Sequence, residues 1–248
     1  MAVGVVVPTV ITALVSVLYF HGPVWDFLVH DHATAAWRSL VVENLTLWFL
    51  LFGSAHCLLY LEPQRSFFAP FKFNPAYPPS KLVVREFMRS VRGVLIGTCY
   101  EVAINRLFIK GILPTSLVPT VLIMHADDST SMQSIRFIVG GLLLYLWGDC
   151  HFYWTHRLLH TPWLYKNVHK EHHESFNPDP FSGLSMHWFE SAVYFSAAPL
   201  ISFAAPLWLF RLLVKGLIVF PLPGHSGHGN WAMEASYNHY VHHSKFNW

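Results

Sequence analysis

Charged side chains are scarce in this chain. Of its 248 residues, 12% are charged and 53% are hydrophobic, whereas roughly 25% of the residues in a typical soluble domain are charged. The 16 basic and 14 acidic side chains nearly cancel, so nothing in the charge balance indicates a nucleic-acid partner. An apolar surplus of this size predicts a protein embedded in a bilayer.

Cysteine is equally sparse, and its placement suits neither metal binding nor redox chemistry. The three cysteines Cys57, Cys99 and Cys150 are far apart in apolar stretches, and no Cys-x-x-Cys pair occurs. We therefore expect free structural thiols rather than disulfides or a cysteine-ligated zinc.

Two hydrolase motifs are missing as well. The string that begins at His173-Glu174 lacks the second histidine of the His-Glu-x-x-His metalloprotease motif. Around Ser226, histidine stands where a nucleophile elbow requires glycine. Proteolysis by a zincin mechanism and hydrolysis by an activated serine are both disfavoured.

Apolar stretches long enough to be considered as membrane spans are present instead. The first has no basic residues before it, so we expect an uncleaved span rather than a secretory signal. Pro199 and Pro206 interrupt the last, which predicts a kinked or re-entrant helical pair. Glu101, inside the third, is expected to pair with a nearby base such as Arg106. The five stretches are 3–20, 45–61, 93–109, 137–153 and 191–210.

These stretches predict an all-α integral membrane bundle of about four spans plus the kinked pair, capped by a cytosolic, histidine-rich helical region. We divide it into an N-terminal transmembrane region, 1–135, and a catalytic region, 136–248. The basic residues of a predicted loop over 62–92 favour the cytosolic side, and counting spans returns the histidines to that side. Those basic residues are Arg65, Lys72, Lys81, Arg85, Arg89 and Arg92.

Three histidine clusters stand out against this apolar background. Twelve of the 17 histidines lie in the segment from His151 to His243. Imidazole is a common metal ligand, and its placement in the hydrocarbon interior of a membrane is unfavourable. Residues three or four apart share one face of a helix, so the spacing predicts imidazoles that converge. Eight imidazoles are too many for one ion, and two ions are the simplest assignment. The clusters are box 1 (His156, His160), box 2 (His169, His172, His173) and box 3 (His239, His242, His243).

The residues around the boxes resemble a known family. Over about residues 145–248 they are similar to the sterol desaturase and fatty acid hydroxylase superfamily of membrane enzymes. The motifs are Asp149-x-x-x-Tyr153-Trp154-x-His156-Arg157-x-x-His160, Leu164-Tyr165-Lys166-x-x-His169-Lys170-x-His172-His173 and Asn238-His239-x-x-His242-His243-x-x-Phe246-Asn247.

Two further elements match the family less closely. The stretch containing His187 resembles its His-Pro-x-Glu element, with Trp188 in place of proline, and Gly224-His225-Ser226-Gly227 resembles its His-Ser-Gly element. With His187 and His225 the resemblance implies ten ligands, about five per ion. His151 and His228 are left unassigned.

The resemblance implies a non-haem di-iron centre that uses O2 to hydroxylate or desaturate a sterol or long-chain lipid drawn from the bilayer. It also implies electrons from NAD(P)H through a cytochrome-type haem carrier, and a place in the endoplasmic reticulum membrane. Ligating histidines usually donate their second N–H to an acceptor, and Asp149 and Glu190 are spaced to provide one.

Non-catalytic roles for the boxes are the alternatives. Histidines of amphipathic helices at a membrane surface could produce similar clusters by chance. A membrane metal transporter or a bis-histidine haem protein would use them without oxygen chemistry, but transport sites usually lie near the middle of the membrane. The boxes instead lie in charged sequence beside Arg157, Lys166, Lys170 and Glu171.

Overall fold

A computed structural model describes residues 37–62, 64–113, 122–123, 128–229 and 234–245. The predicted span 3–20 lies outside these residues. The described elements are helical apart from one isolated bridge between Lys72 and His228. The α-helices are α1 (Trp37–Trp48), α2 (Ser54–Tyr60), α3 (Gln64–Phe68), α4 (Ser80–Ile109), α5 (Thr130–Leu159), α6 (Pro162–Asn167), α7 (Trp188–Phe195), α8 (Ala197–Ile201), α9 (Leu207–Val219), α10 (Pro221–His225) and α11 (Glu234–Lys245).

Within the described part of the chain, three helical stretches are long and apolar enough to cross a membrane. They are Trp37–Tyr60, Thr130–Leu159 and Leu207–His225, and the first is continuous because a π-helical turn, Phe49–Gly53, joins α1 to α2. Side chains such as Ile138 and Leu142 project outward from α5, which suits a lipid-facing surface. The predicted all-α membrane architecture is confirmed, including the expected spans within 45–61 and 137–153.

Helix α4 begins earlier than predicted, and it is less apolar than a membrane span. The segment 62–92 is not a loop throughout, because α4 begins at Ser80 directly after Pro79 and carries Arg85, Arg89 and Arg92. The expected span 93–109 forms the second half of this helix, which is not among the three membrane-length apolar stretches. Its arginines and Glu101 lower its hydropathy below theirs.

The proline-interrupted stretch folds as predicted. Helix α7 gives way to the short α8, which contains Pro199, and Pro206 is the N-cap of α9. The second arm is longer than expected, because α9 continues to Val219.

Close helix packing brings α4 into the centre of the bundle. A Cβ at Gly97 would lie 2.6 Å from the ring of Phe195, and a Cβ at Gly140 would lie 2.7 Å from the ring of Trp208. These two glycines therefore permit α4 to pack on α7, and α5 on α9. The apolar core continues through residues such as Phe210 and Val214.

A buried ionic network joins α1, α4 and α9. Glu101 is fully buried; it accepts from Arg211 Nε at 3.3 Å and from Lys215 Nζ at 3.1 Å. The side-chain amide of Asn44 donates to the same carboxylate at 2.8 Å, and Glu43 lies 2.8 Å from Lys215 Nζ. Two acids thus balance two bases. The expected partner Arg106 is wrong, because it is exposed on α4 while Glu101 faces α9.

Removing the central acid should destabilise the bundle strongly. Glu101→Gln would leave Arg211, itself 1% exposed, with much of its charge uncompensated, at a cost of about 3–5 kcal/mol. Thermal unfolding in detergent measures the loss. Glu62→Gln is the matched control, because its ion pair with Arg65 is exposed and such pairs contribute little. Equal midpoints for the two variants would contradict this role for Glu101.

Candidate metal centre

Four separate segments carry the histidines of the centre. His156 lies in the last turn of α5, and His160 is the C-cap of that helix. Box 2 occupies a 3-10 helix, His169–Glu174. His225 ends α10, and box 3 lies on α11. The fold therefore brings together residues up to 87 positions apart between His156 and His243.

The first histidine group consists of His156, His160, His169 and His242. The Nε2 atoms of His156 and His242 are 3.0 Å apart, and those of His160 and His242 are 3.2 Å apart. The Nε2 atom of His169 lies 3.2 Å from that of His160.

The second histidine group consists of His172, His225, His239 and His243. Here His225 is central. Its Nε2 atom lies 3.3 Å from that of His172, 3.2 Å from that of His243 and 3.1 Å from that of His239.

His173 lies where the two groups meet. Its Nε2 atom is 3.1 Å from the Nε2 atom of His169 in the first group. Its ring centroid is 4.7 Å from that of His243 in the second. His173 is therefore placed to complete the first group while separating it from the second.

The nitrogen spacing fits a shared metal ion in each group. With a metal–nitrogen distance of about 2.1 Å, two ligands of one ion lie ~3.0 Å apart at right angles and ~3.4 Å apart at tetrahedral angles. The Nε2 separations of neighbouring rings, 3.0–3.3 Å, fall within this interval, and all the donor atoms of each group lie within 4.8 Å of one another. Donor atoms at such spacing suit one ion per group, and they leave no room for a haem macrocycle between them.

Hydrogen bonds at the opposite ring nitrogens fix the orientation of three of these rings. The Nδ1–H of His169 donates to Glu190 Oε1 at 2.7 Å. The Nδ1–H of His172 donates to the Ser185 carbonyl at 3.2 Å, and that of His225 to the Pro221 carbonyl at 2.8 Å. With the proton on Nδ1, each Nε2 lone pair points toward the centre of its group, as metal ligation requires.

Burial keeps the rings neutral. It lowers the pKa of His160 and His172 to about 4 and that of His239 to about 3, and neighbouring histidines add to the effect. Burial also raises the pKa of Glu190, and the charge of Glu171 raises it further. Neutral imidazoles are the form that binds metals.

Two details of the boxes differ from the prediction. Box 2 is a 3-10 helix rather than an α-helix, and His172 and His173 point to different groups. In box 3, His239 and His243 share the second group while His242 belongs to the first. Boxes 2 and 3 therefore each contribute to both groups, whereas both histidines of box 1 lie in the first group.

His187, His228 and His151 lie outside the two groups. His187 is an N-cap whose Nδ1 accepts from the backbone N–H of Phe189 at 3.3 Å. His228 Nδ1 bonds to the Ser226 carbonyl at 2.9 Å. His151 lies 3.1 Å from the hydroxyl of Ser196.

Of the two expected acceptors, Glu190 meets a box histidine and Asp149 does not. Asp149 is exposed on α5, and the described residues show no bond from it to an imidazole. Sequence reasoning also missed the carbonyls of Ser185 and Pro221, because a backbone acceptor carries no residue-type signal.

Mild acid should destabilise the folded protein. The ordinary histidine pKa is 6.5, whereas in the fold that of His172 is about 4. The unfolded chain therefore binds protons below pH 6.5 that the folded state excludes. The free energy of unfolding is then fully present above pH 6.5 and falls toward pH 4. Glu190 opposes this trend, since its raised pKa favours protonation in the folded state, but the histidines outnumber it.

The measurement is the thermal midpoint of the chelator-treated full chain in detergent, from about pH 7.5 to about pH 4.5. His172→Gln should flatten the profile, since that variant removes one of the titrating groups. A midpoint that stays constant or rises on acidification would contradict the prediction.

Comparison with known proteins gives the same affiliation as the motifs. Residues 141–248 match the model of the fatty acid hydroxylase family. A very-long-chain aldehyde decarbonylase of Oryza sativa subsp. japonica is 34% identical over 153 residues, which cover 60% of this chain and 46% of that protein. No solved structure matches the chain.

Two sterol enzymes match over shorter segments. Methylsterol monooxygenase 2-1 of Arabidopsis thaliana is 43% identical over 61 residues, or 24% of this chain and 22% of that protein. A Delta(7)-sterol 5(6)-desaturase of Aspergillus fumigatus is 33% identical over 89 residues, or 35% of this chain and 28% of that protein. The aligned part spans less than half the length of each of the three relatives. The similarity to the fatty acid hydroxylase family therefore covers the histidine-bearing residues 141–248.

Proposed function

We propose that this chain is a membrane-bound, O2-dependent di-iron oxidoreductase that hydroxylates or desaturates a sterol or long-chain lipid. The observation that carries the proposal is the pair of histidine groups. From four segments of the chain, the donor atoms of each group converge to within 4.8 Å of one another, with neighbouring Nε2 atoms 3.0–3.3 Å apart. The similarity to a monooxygenase, a desaturase and an aldehyde decarbonylase supports the reaction class.

Nine histidines would hold the ions. The first group with His173 would bind one, and the second group would bind the other, so His187 is not needed. Iron bound there would supply the redox chemistry that oxidation of an unactivated C–H bond by O2 requires, which acid–base side chains do not provide. Glu190, through His169, would fix ring orientation and raise ligand basicity.

The lipid would enter from the bilayer. The exposed apolar side chains of α5, including Leu142, Leu146 and Leu158, run toward the end of the helix that carries His156 and His160. A substrate moving along this surface would reach the first histidine group without crossing water. This route supports a lipid rather than a soluble substrate.

Electron supply and location follow from the same proposal. We propose electrons from NAD(P)H through a haem-containing, cytochrome-type carrier, and an endoplasmic reticulum membrane with the metal centre facing the cytosol. The arginines of α4 are weak support for an acidic carrier, because Arg89 and Arg92 pair internally with Glu171. Exposed Lys166 and Lys170 remain available to such a partner.

Removing a ligand from the second group should abolish oxidation. His172→Ala and His243→Ala should each reduce bound iron and stop turnover while the protein stays in the membrane. Iron per chain and lipid profiles of expressing cells measure the two effects. His187→Asn is the matched control, because it preserves an N-cap acceptor outside both groups and should retain iron and product.

Other results would favour the alternatives. We expect about two irons per chain and no haem absorption. A Soret band, or zinc as the only bound metal, would contradict the proposal. Retained turnover in His172→Ala would contradict it as well. If cells with and without the intact chain have the same lipid profile, the oxidoreductase assignment is wrong.

Glu190 should matter for metal affinity. Glu190→Ala removes the acceptor for the Nδ1–H of His169 and should weaken metal binding about tenfold to hundredfold. Glu190→Gln keeps a carbonyl acceptor and should lose less. Competition with a chelator measures the affinity, and equal affinities for Glu190→Ala and the unmodified chain would contradict the assignment.

A further inference from the structure

Three arginines on one face of α4 contact the acids that flank the box 2 histidines. Arg85, Arg89 and Arg92 are four and three residues apart, so they line one face of the helix. Glu171 and Glu174 bracket His172 and His173 in sequence. The five charged side chains form one continuous network between α4 and the 3-10 helix.

Arg89 is the centre of this network. Its Nε lies 3.0 Å from Glu171 Oε1, and its Nη1 lies 2.8 Å from Glu174 Oε2. One guanidinium therefore bridges the acid before the histidine pair and the acid after it. Lysine has a single point charge and cannot reproduce this forked contact.

Arg92 extends the contact to the next segment. Its Nη2 lies 2.7 Å from Glu171 Oε1 and also donates to the carbonyl of Met186. Met186 follows Ser185, whose carbonyl accepts from His172 Nδ1. The same arginine thus contacts the histidine segment and the segment that orients one of its rings.

Local structure alone holds box 2 weakly. The 3-10 helix is six residues long and has no side-chain cap. The backbone N–H of Glu171 donates to the Val168 carbonyl at 3.3 Å, and that of Ser175 to the His172 carbonyl at 3.3 Å. Both bonds are long, and short 3-10 helices have poor hydrogen-bond geometry. The register of this segment therefore depends on tertiary contacts.

The ion pairs are shielded enough to provide that contact. The side chains of Arg89 and Glu171 are 18% and 20% exposed, whereas Arg85 is 51% exposed. Exposed pairs contribute little, but a partly buried, forked and multiply bonded pair is stronger and geometrically specific. Arg89 should therefore dominate. Arg92 is 41% exposed, but its second bond, to the Met186 carbonyl, connects it to two segments, whereas the contact shown for Arg85 is its ion pair with Glu174.

We propose that Arg89 and Arg92 are positioning residues that fix the register of box 2, so that His172 reaches the second histidine group while His169 and His173 reach the first. The inference rests on the proposed two-ion centre. It assigns the α4 arginines a role in the assembly of that centre, whereas the sequence suggested that they mark the cytosolic side of the membrane. A change of register would move both groups, since box 2 contributes to each.

The test is a Co2+ titration of the full chain in lipid nanodiscs after chelator treatment. Arg89→Gln should raise the Kd for Co2+ about tenfold to hundredfold and alter the visible spectrum of the bound ion. Arg89→Lys should be intermediate, because it keeps the charge without the fork. Thermal midpoints are recorded for each variant, so that a shift in affinity is separated from a loss of stability.

Arg136→Gln is the matched control. It breaks the ion pair between Arg136 and Asp128, whose side chains are 11% and 10% exposed, respectively. This pair lies near the start of α5, about 30 Å along that helix from His156. It should lower the thermal midpoint while leaving the Kd and the spectrum of bound Co2+ unchanged.

The outcomes separate this inference from the proposed function. If the unmodified chain binds two Co2+ and Arg89→Gln binds them with the same Kd and spectrum, the positioning role is wrong and the metal centre stands. An equal rise in Kd for Arg136→Gln would also overturn it, because the effect would then follow stability. An unmodified chain that binds no Co2+ overturns the proposed centre and this inference together.

Discussion

The convergence of imidazole nitrogens is the constraint on which the rest of the structure depends. Nε2 atoms of neutral rings carry lone pairs, and at 3.0–3.3 Å such atoms repel one another unless a cation or protons lie between them. The Nδ1 protons of His169, His172 and His225 are committed to Glu190 and to the Ser185 and Pro221 carbonyls. The fold therefore directs lone pairs inward from segments that are distant in sequence, which is the arrangement a metal ion stabilises.

Helix α4 links this centre to the membrane bundle. Its first half presents Arg89 and Arg92 to box 2, and its second half carries Glu101 into the ionic network with Arg211 and Lys215. A charged helix between apolar ones is costly unless each charge is paired. Here both sets of charges are paired, and the pairing explains why this helix is less apolar than its neighbours. It also fixes the distance between the spans and the histidines.

The sequence was informative about elements and residue types, and less so about register. Apolar runs identified the spans in α1–α2 and α5, and Pro199 and Pro206 identified the break before α9. The histidine spacing identified most of the cluster. It could not reveal that His172 and His173 serve different groups, since this depends on a 3-10 helix held by tertiary contacts. Residue type alone also does not distinguish the N-cap role that His187 has in the fold from the role of a ligand.

The pairing of opposite charges explains why the segment 62–92 differs from its prediction. Counting basic residues over 62–92 suggests a solvent-facing loop, yet Arg85, Arg89 and Arg92 meet Glu171 and Glu174 from the charged stretch around box 2. The acids and arginines are about 80 residues apart, so a window along the sequence does not associate them. Matching spacings could have done so: acids at i and i+3 face arginines at j, j+4 and j+7 on one helix face. In a chain with so few charges, each buried charge needs a partner, and opposite sets with compatible spacing are the first partners to consider.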